Sequence, residues 1–179
     1  MMTARTTMDT DGLAPGLAPG LAPAGRLGMA ACAAAILSLM AALIHLWVAP
    51  EHFQEWWGYG TFMLVSAACQ GIFVPLVLRF PASRLVSLAG IAGNLFIVVL
   101  YVVTYTWGMP FGPTWVPFDP AVAHLVNPEV LGTAATAAEM GIVIVLTVSL
   151  EGSVRRAVIN ALLVVGALLW ALRIAGILP

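Results

Sequence analysis

Five apolar windows, at roughly 27–48, 58–78, 85–107, 131–150 and 156–178, constrain this chain more than any motif in it. Each holds the roughly 20 residues that a helix needs to carry its backbone across the hydrocarbon of a bilayer. Composition agrees: 61% of the residues are hydrophobic and 8% charged, and mean hydropathy is +1.01. Soluble domains carry about a quarter charged residues. The windows predict an all-α membrane protein, a bundle of five transmembrane helices whose partner is the lipid bilayer. A net charge of -1 without any cluster of arginines argues against nucleic acid, whose phosphates such a cluster would neutralise.

Two regions follow from the pattern. Residues 1–26 read as an Ala/Pro/Gly-rich tail, disordered and cytoplasmic, because the repeat GLAPGLAPGLAPAG disfavours helix and offers little side chain to bury. Residues 27–179 form the membrane domain. The apolar run after Arg26 is longer than the roughly 7–15 residues of a signal-peptide core, so a cleaved leader is not expected. Cys32 and Cys69 fall inside apolar runs without metal or redox spacing, and read as buried small hydrophobes.

Arginine placement orients the spans. Arg5 and Arg26 precede the first, Arg79 and Arg84 flank the second connection, Arg155 and Arg156 occupy the fourth, and the first and third connections have none. Basic residues collect on the cytoplasmic side. The N-terminus is therefore expected in the cytoplasm, and the C-terminus and the turn HLWVAPEHFQEWWGYG outside, in the cytoplasmic membrane of a bacterium.

That turn, residues 45–60, concentrates polar and aromatic groups. Pro50 is expected to end the first helix near Ala49 and to open a short second one, with Glu51 and Glu55 on one stripe and His52 and Trp56 on another. Trp47, Trp56, Trp57 and Tyr59 suit an aromatic belt at the water boundary. All three histidines, His45, His52 and His124, fall on the outward side. Neutral imidazole is the commonest metal ligand, and His45, His52 and Glu55 are candidate ligands for a transition metal. Because Pro50 is expected to interrupt the helix, the seven-residue interval between His45 and His52 does not place them on one face.

Within the membrane the candidate polar residues are Glu139, Arg173, Gln70 and Asn94. Glu139 lies on the order of 13 Å below the outer end of its span, where an uncompensated charge costs at least a few kcal/mol. Arg173 is long enough to snorkel outward or to reach the carboxylate, so the two are candidates for an ion pair joining the fourth and fifth spans. Gly132, Ala135 and Thr136 share the stripe of Glu139, and such small residues leave room for a neighbouring helix or a solute, which points to a buried cavity opening outward. Gln70 and Asn94 read as interhelical hydrogen-bond partners. Ala89, Gly90 and Gly93 read as a close-packing face. Five prolines between 110 and 128 forbid regular helix at the start of the third connection, 108–130, which is expected to lie across the outer surface as a cap.

The order His45, Pro50, Glu51, His52, Phe53, Glu55, Trp56, Tyr59, Gly60, Gln70, then Gly93, Asn94, Leu95, Thr104, Thr106, Gly108, Pro110, Phe111, Gly112, Pro113 and finally Thr133, Thr136, Glu139 resembles a group of small multi-pass membrane proteins of actinobacteria. The resemblance covers most of spans one to four and implies a fold and a membrane location without an assigned activity. Tyr105 departs from it, standing between the two threonines where that group is expected to have a basic residue.

Two function classes follow. One is a binding or transport protein whose outward polar site holds a metal ion or small solute. The other is an accessory or scaffold subunit that contacts other membrane subunits of a larger complex. An enzyme is the weaker reading: there is no CxxCH, phosphate loop, nucleotide fingerprint or hydrolase triad, and three histidines could support one outer haem at most. The orientation is tested by a fusion reporter in the 108–130 connection. It is expected to report an outward location, and a cytoplasmic signal would reverse the topology.

Overall fold

The computed structural model describes residues 23–107 and 128–175. They form the helices α1 Pro23–Glu55, α2 Trp57–Arg79, α3 Arg84–Trp107, α4 Pro128–Ser149 and α5 Gly152–Ile174, with no strand among the described residues. The described part of the chain is helical, and four stretches in it, Leu27–Glu55, Trp57–Arg79, Arg84–Val103 and Val130–Ser149, are long and apolar enough to cross a membrane.

Side chains sort in the manner that apolar surroundings favour. The interior holds small residues, Ala31, Ala34, Ala35, Ala41, Ala42, Ala135 and Ala138, and polar ones, Ser38, His45, Gln70, Asn94 and Glu139. The outside holds Leu, Ile and Val along every helix, with Trp47 at 77% exposure and Leu85 at 78%. A continuous apolar exterior of this kind is what a bilayer covers and what water penalises. Small residues inside let the helices approach closely where lipid supplies no hydrophobic drive to associate.

α1 runs most of its length against α2 and then α4, and α3 packs on α4; α2 and α3 barely touch, and α5 meets only α4. The α2–α3 turn at 80–83 and the α4–α5 turn at 150–151 lie at the same end, where Arg84 Nη2 donates to Glu151 Oε2. The reversal between α1 and α2 lies at the other end. Near the first end Phe73, Val77, Ile91, Ile142 and Leu146 build the apolar core with Ala31, Ala34 and Ala35.

Several expectations change. Pro50 does not end the first helix: α1 continues through it to Glu55. A proline removes one ladder N–H and crowds the carbonyl four residues back, a cost of about 3 kcal/mol, and the long packing of α1 on α2 and α4 outweighs it. The break comes at Trp56, whose φ of -166° and ψ of 139° are extended. Its carbonyl accepts from the Tyr59 and Gly60 amides at 3.1 and 3.4 Å. The reversal needs the absence of side chains there, since a Cβ on Gly60 would lie 2.2 Å from the Phe53 ring and one on Gly58 2.1 Å from the Trp56 ring. Trp56 therefore shares no helical stripe with His52.

Helix limits also shift. α1 begins at Pro23, inside the region expected to be an unstructured tail, and α4 begins at Pro128, in the connection expected to cap the surface. A proline in the first turn costs no hydrogen bond, since that N–H has no helical partner anyway. Residues 1–22, which hold most of the expected tail, the 108–127 part of the cap, and 176–178 of the fifth window lie outside the described residues.

Cys32 and Cys69 are exposed on the outside of the bundle rather than buried. An apolar run gives a membrane helix no inside and outside by hydropathy alone, and that is where the expectation failed. Of the expected close-packing face only Gly90 is one. A Cβ there would lie 2.6 Å from Phe73 and 2.8 Å from Leu146, whereas Ala89 is exposed and Gly93 has nothing within 4 Å.

That contrast is a test of the packing. Gly90→Ala is expected to lower the melting temperature of the detergent-solubilised protein. Gly93→Ala should leave it unchanged or raise it, by at most the roughly 1 kcal/mol that alanine gains over glycine in a helix.

Candidate functional site

A connected set of polar side chains crosses the middle of the bundle. Glu139, 1% exposed on α4, receives two donors on the same oxygen: His45 Nε2 of α1 at 2.9 Å and Gln70 Nε2 of α2 at 3.1 Å. Gln70 Nε2 also reaches Asn94 Oδ1 of α3 at 3.3 Å, and Asn94 Nδ2 donates to the Gly90 carbonyl at 2.8 Å. Ser38 of α1 donates to the Gln70 main-chain carbonyl at 2.9 Å. Four helices thus meet through one carboxyl group, two amides and one imidazole.

Proton positions follow from the donors. An amide nitrogen can only donate, so Glu139 Oε1 accepts from Gln70, and one further hydrogen, held on either partner, lies between that oxygen and His45 Nε2. Paired this way, the carboxylate is held away from hydrocarbon, where a lone charge would be costly. The second oxygen, Oε2, takes no hydrogen bond from any described residue.

Beside Glu139 lies a cavity of about 180 Å³, lined by Ile44, His45, Val48 and His52 of α1, Phe62 and Met63 of α2, Ile97, Leu100 and Tyr101 of α3, and Gly132, Ala135, Thr136 and Glu139 of α4. These are the α1 C-terminal, α2 N-terminal, α3 C-terminal and α4 N-terminal halves, so the cavity sits at the end of the bundle away from the Arg84–Glu151 pair. Gly132 leaves room for Tyr101, whose ring would lie 3.0 Å from a Cβ there. His52 Nδ1 lies 3.0 Å from the Val48 carbonyl. A carbonyl only accepts, so Nδ1 carries the hydrogen, and in the neutral ring Nε2 is left as an acceptor.

The sequence placed several of these groups correctly. Gly132, Ala135, Thr136 and Glu139 share one stripe and line a cavity, and Gln70 and Asn94 do bond between helices. Other placements differ. Of the candidate metal ligands, His45 and His52 reach one cavity while Glu55 is exposed and outside its lining. Among the described residues no three His, Cys, Asp or Glu side chains gather as a metal-holding group. Glu139 is engaged by α1 and α2, and the Arg173 side chain lies outside those described.

Two things were missed: the pairing of His45 with Glu139, and the common face of His45 and His52. The signal for the second was present. Seven residues turn a helix by about 700°, roughly 20° short of two full turns, and the assumption of a break at Pro50 set that spacing aside.

Removing one partner of a buried pair strands the other, at a cost on the order of 3–5 kcal/mol. His45→Leu is therefore expected to destabilise the solubilised protein strongly, and His45→Leu with Glu139→Leu to recover much of the loss. Melting curves of the two variants decide this, and a silent His45→Leu would mean that the pair does not organise the bundle. Compared with protein-family models, with curated proteins and with solved structures, the chain matches none.

Proposed function

We propose that this chain is a five-span protein of the bacterial cytoplasmic membrane that binds a small solute in the cavity beside Glu139, with its N-terminus cytoplasmic and its C-terminus outward. One observation carries the binding reading: a mostly apolar cavity of about 180 Å³ is built against a buried carboxyl group whose second oxygen takes no hydrogen bond from any described residue. Apolar walls with a few convergent polar groups are the ordinary make-up of a small-molecule site. A metal ion has less support, because among the described residues no three His, Cys, Asp or Glu side chains gather as a metal-holding group, and His45 Nε2 is already engaged with Glu139.

Charge supports the orientation. Arg79, Arg84, Arg155 and Arg156 belong to the helix ends that flank the 80–83 and 150–151 turns, opposite the cavity, and basic residues favour the cytoplasmic side. The cavity then opens outward. α5 is the fifth span, and the chain takes its place with the small multi-pass actinobacterial proteins that its outer-turn and mid-span residues resemble.

A second reading, an accessory subunit of a larger membrane complex, is favoured by α5. Among the described helices that one meets only α4, and it shows Leu163, Val164, Leu168 and Trp170 outward. The two readings separate experimentally. Native mass spectrometry of the untagged protein from mild detergent is expected to show a small adduct that Thr136→Leu, which fills the cavity, abolishes. Co-purifying subunits without any adduct would favour the accessory role.

A further inference from the structure

The cavity wall is selective in the hydrogen-bonding sense, and, resting on the solute-binding reading, this names a ligand class. Two acceptors line it without a partner among the described residues. One is Glu139 Oε2, on a side chain 1% exposed, and the other is His52 Nε2, left bare because Nδ1 is spent on the Val48 carbonyl. The Thr136 hydroxyl, one turn before Glu139 and in the same lining, offers a second oxygen. No lysine or arginine is among the described lining residues. The two donors that reach Glu139, from His45 and Gln70, both fall on Oε1 and leave the other oxygen to the cavity.

We infer that the cavity binds a small organic ammonium ion, a primary amine on a compact hydrocarbon or aromatic body, with the N–H groups on Glu139 and His52. An ammonium carries three donors and no acceptor, the complement of this wall. Its charge compensates a carboxylate held in apolar surroundings, where an anionic ligand would add to the penalty. The body is limited by volume: an apolar cavity of about 150 Å³ holds a benzene, so about 180 Å³ admits one ring and a short arm. Ile44, Phe62, Met63, Ile97 and Leu100 supply the apolar contact for it.

The experiment uses the full-length untagged chain in mild detergent and follows its thermal unfolding through tryptophan fluorescence. The probes are benzylamine, benzyltrimethylammonium, toluene, benzoate and zinc ion alone. Benzylamine at neutral pH is expected to raise the midpoint saturably, and benzyltrimethylammonium, which has the charge but no N–H, to act at least tenfold more weakly. Toluene and benzoate should give no saturable shift. Glu139→Gln should weaken benzylamine at least tenfold and His52→Ala several-fold. If Glu139→Gln does not fold, Thr136→Leu serves in its place, abolishing the shift by filling the cavity.

The other outcomes overturn the inference in distinguishable ways. Toluene or benzoate protecting as well as benzylamine would leave a solute site and remove the ammonium class. Zinc protecting alone would replace it with a metal site. No protection by any probe, in a protein that also carries no adduct from the cell, would remove the solute-binding reading itself.

Discussion

The double hydrogen bond onto Glu139 Oε1 is the interaction on which the rest of the bundle depends. It ties α4 to α1 through His45 and to α2 through Gln70, and Gln70 passes the connection to Asn94 on α3. Apolar packing between helices is only weakly directional when the surroundings are apolar too, so it does little to choose a rotation for each helix. A carboxylate that must find donors does choose. Each of the four helices has one orientation about its axis that brings its polar group to this point.

The same constraint explains why the interior is divided. On the side of the Arg84–Glu151 pair the helices close over alanines and a compact set of larger apolar residues, with Gly90 admitting Phe73 and Leu146. On the other side α2 and α3 stand apart, and the gap is the cavity. The polar set lies between the two halves. It joins the helices on one side while Glu139 lines the cavity on the other, and so a stabilising interaction and a cavity wall are made from one residue.

How much of this was legible depended on the range of the signal. The helices themselves follow from local hydropathy and the roughly 20-residue requirement, and the limits of α2 and α3 were found almost to the residue. Helix face is a weaker signal when both sides are apolar, which is why Cys32 and Cys69 were placed inside and why Gly93 was grouped with Gly90. Polar residues escape that ambiguity: Gly132, Ala135, Thr136 and Glu139 gave their stripe, and Gln70 and Asn94 their pairing, because hydrocarbon forces such groups inward. Partner choice was out of reach, since nothing local joins His45 to a carboxylate 94 positions away. The continuation of α1 past Pro50 is likewise a tertiary outcome, decided by packing against helices that lie later in the chain.

The unbroken α1 has a further consequence, for how this segment can vary. Side-chain identity is loosely held at Leu46, Trp47, Pro50 and Glu51, which are exposed, though not at Val48 in the cavity wall or at buried Ala49. Length is not. Inserting or deleting one residue there would swing His52 by about 100° around the helix axis, taking its ring off the cavity wall while every other residue stayed chemically the same. At the four exposed positions of this stretch the count of residues carries more structural information than their names.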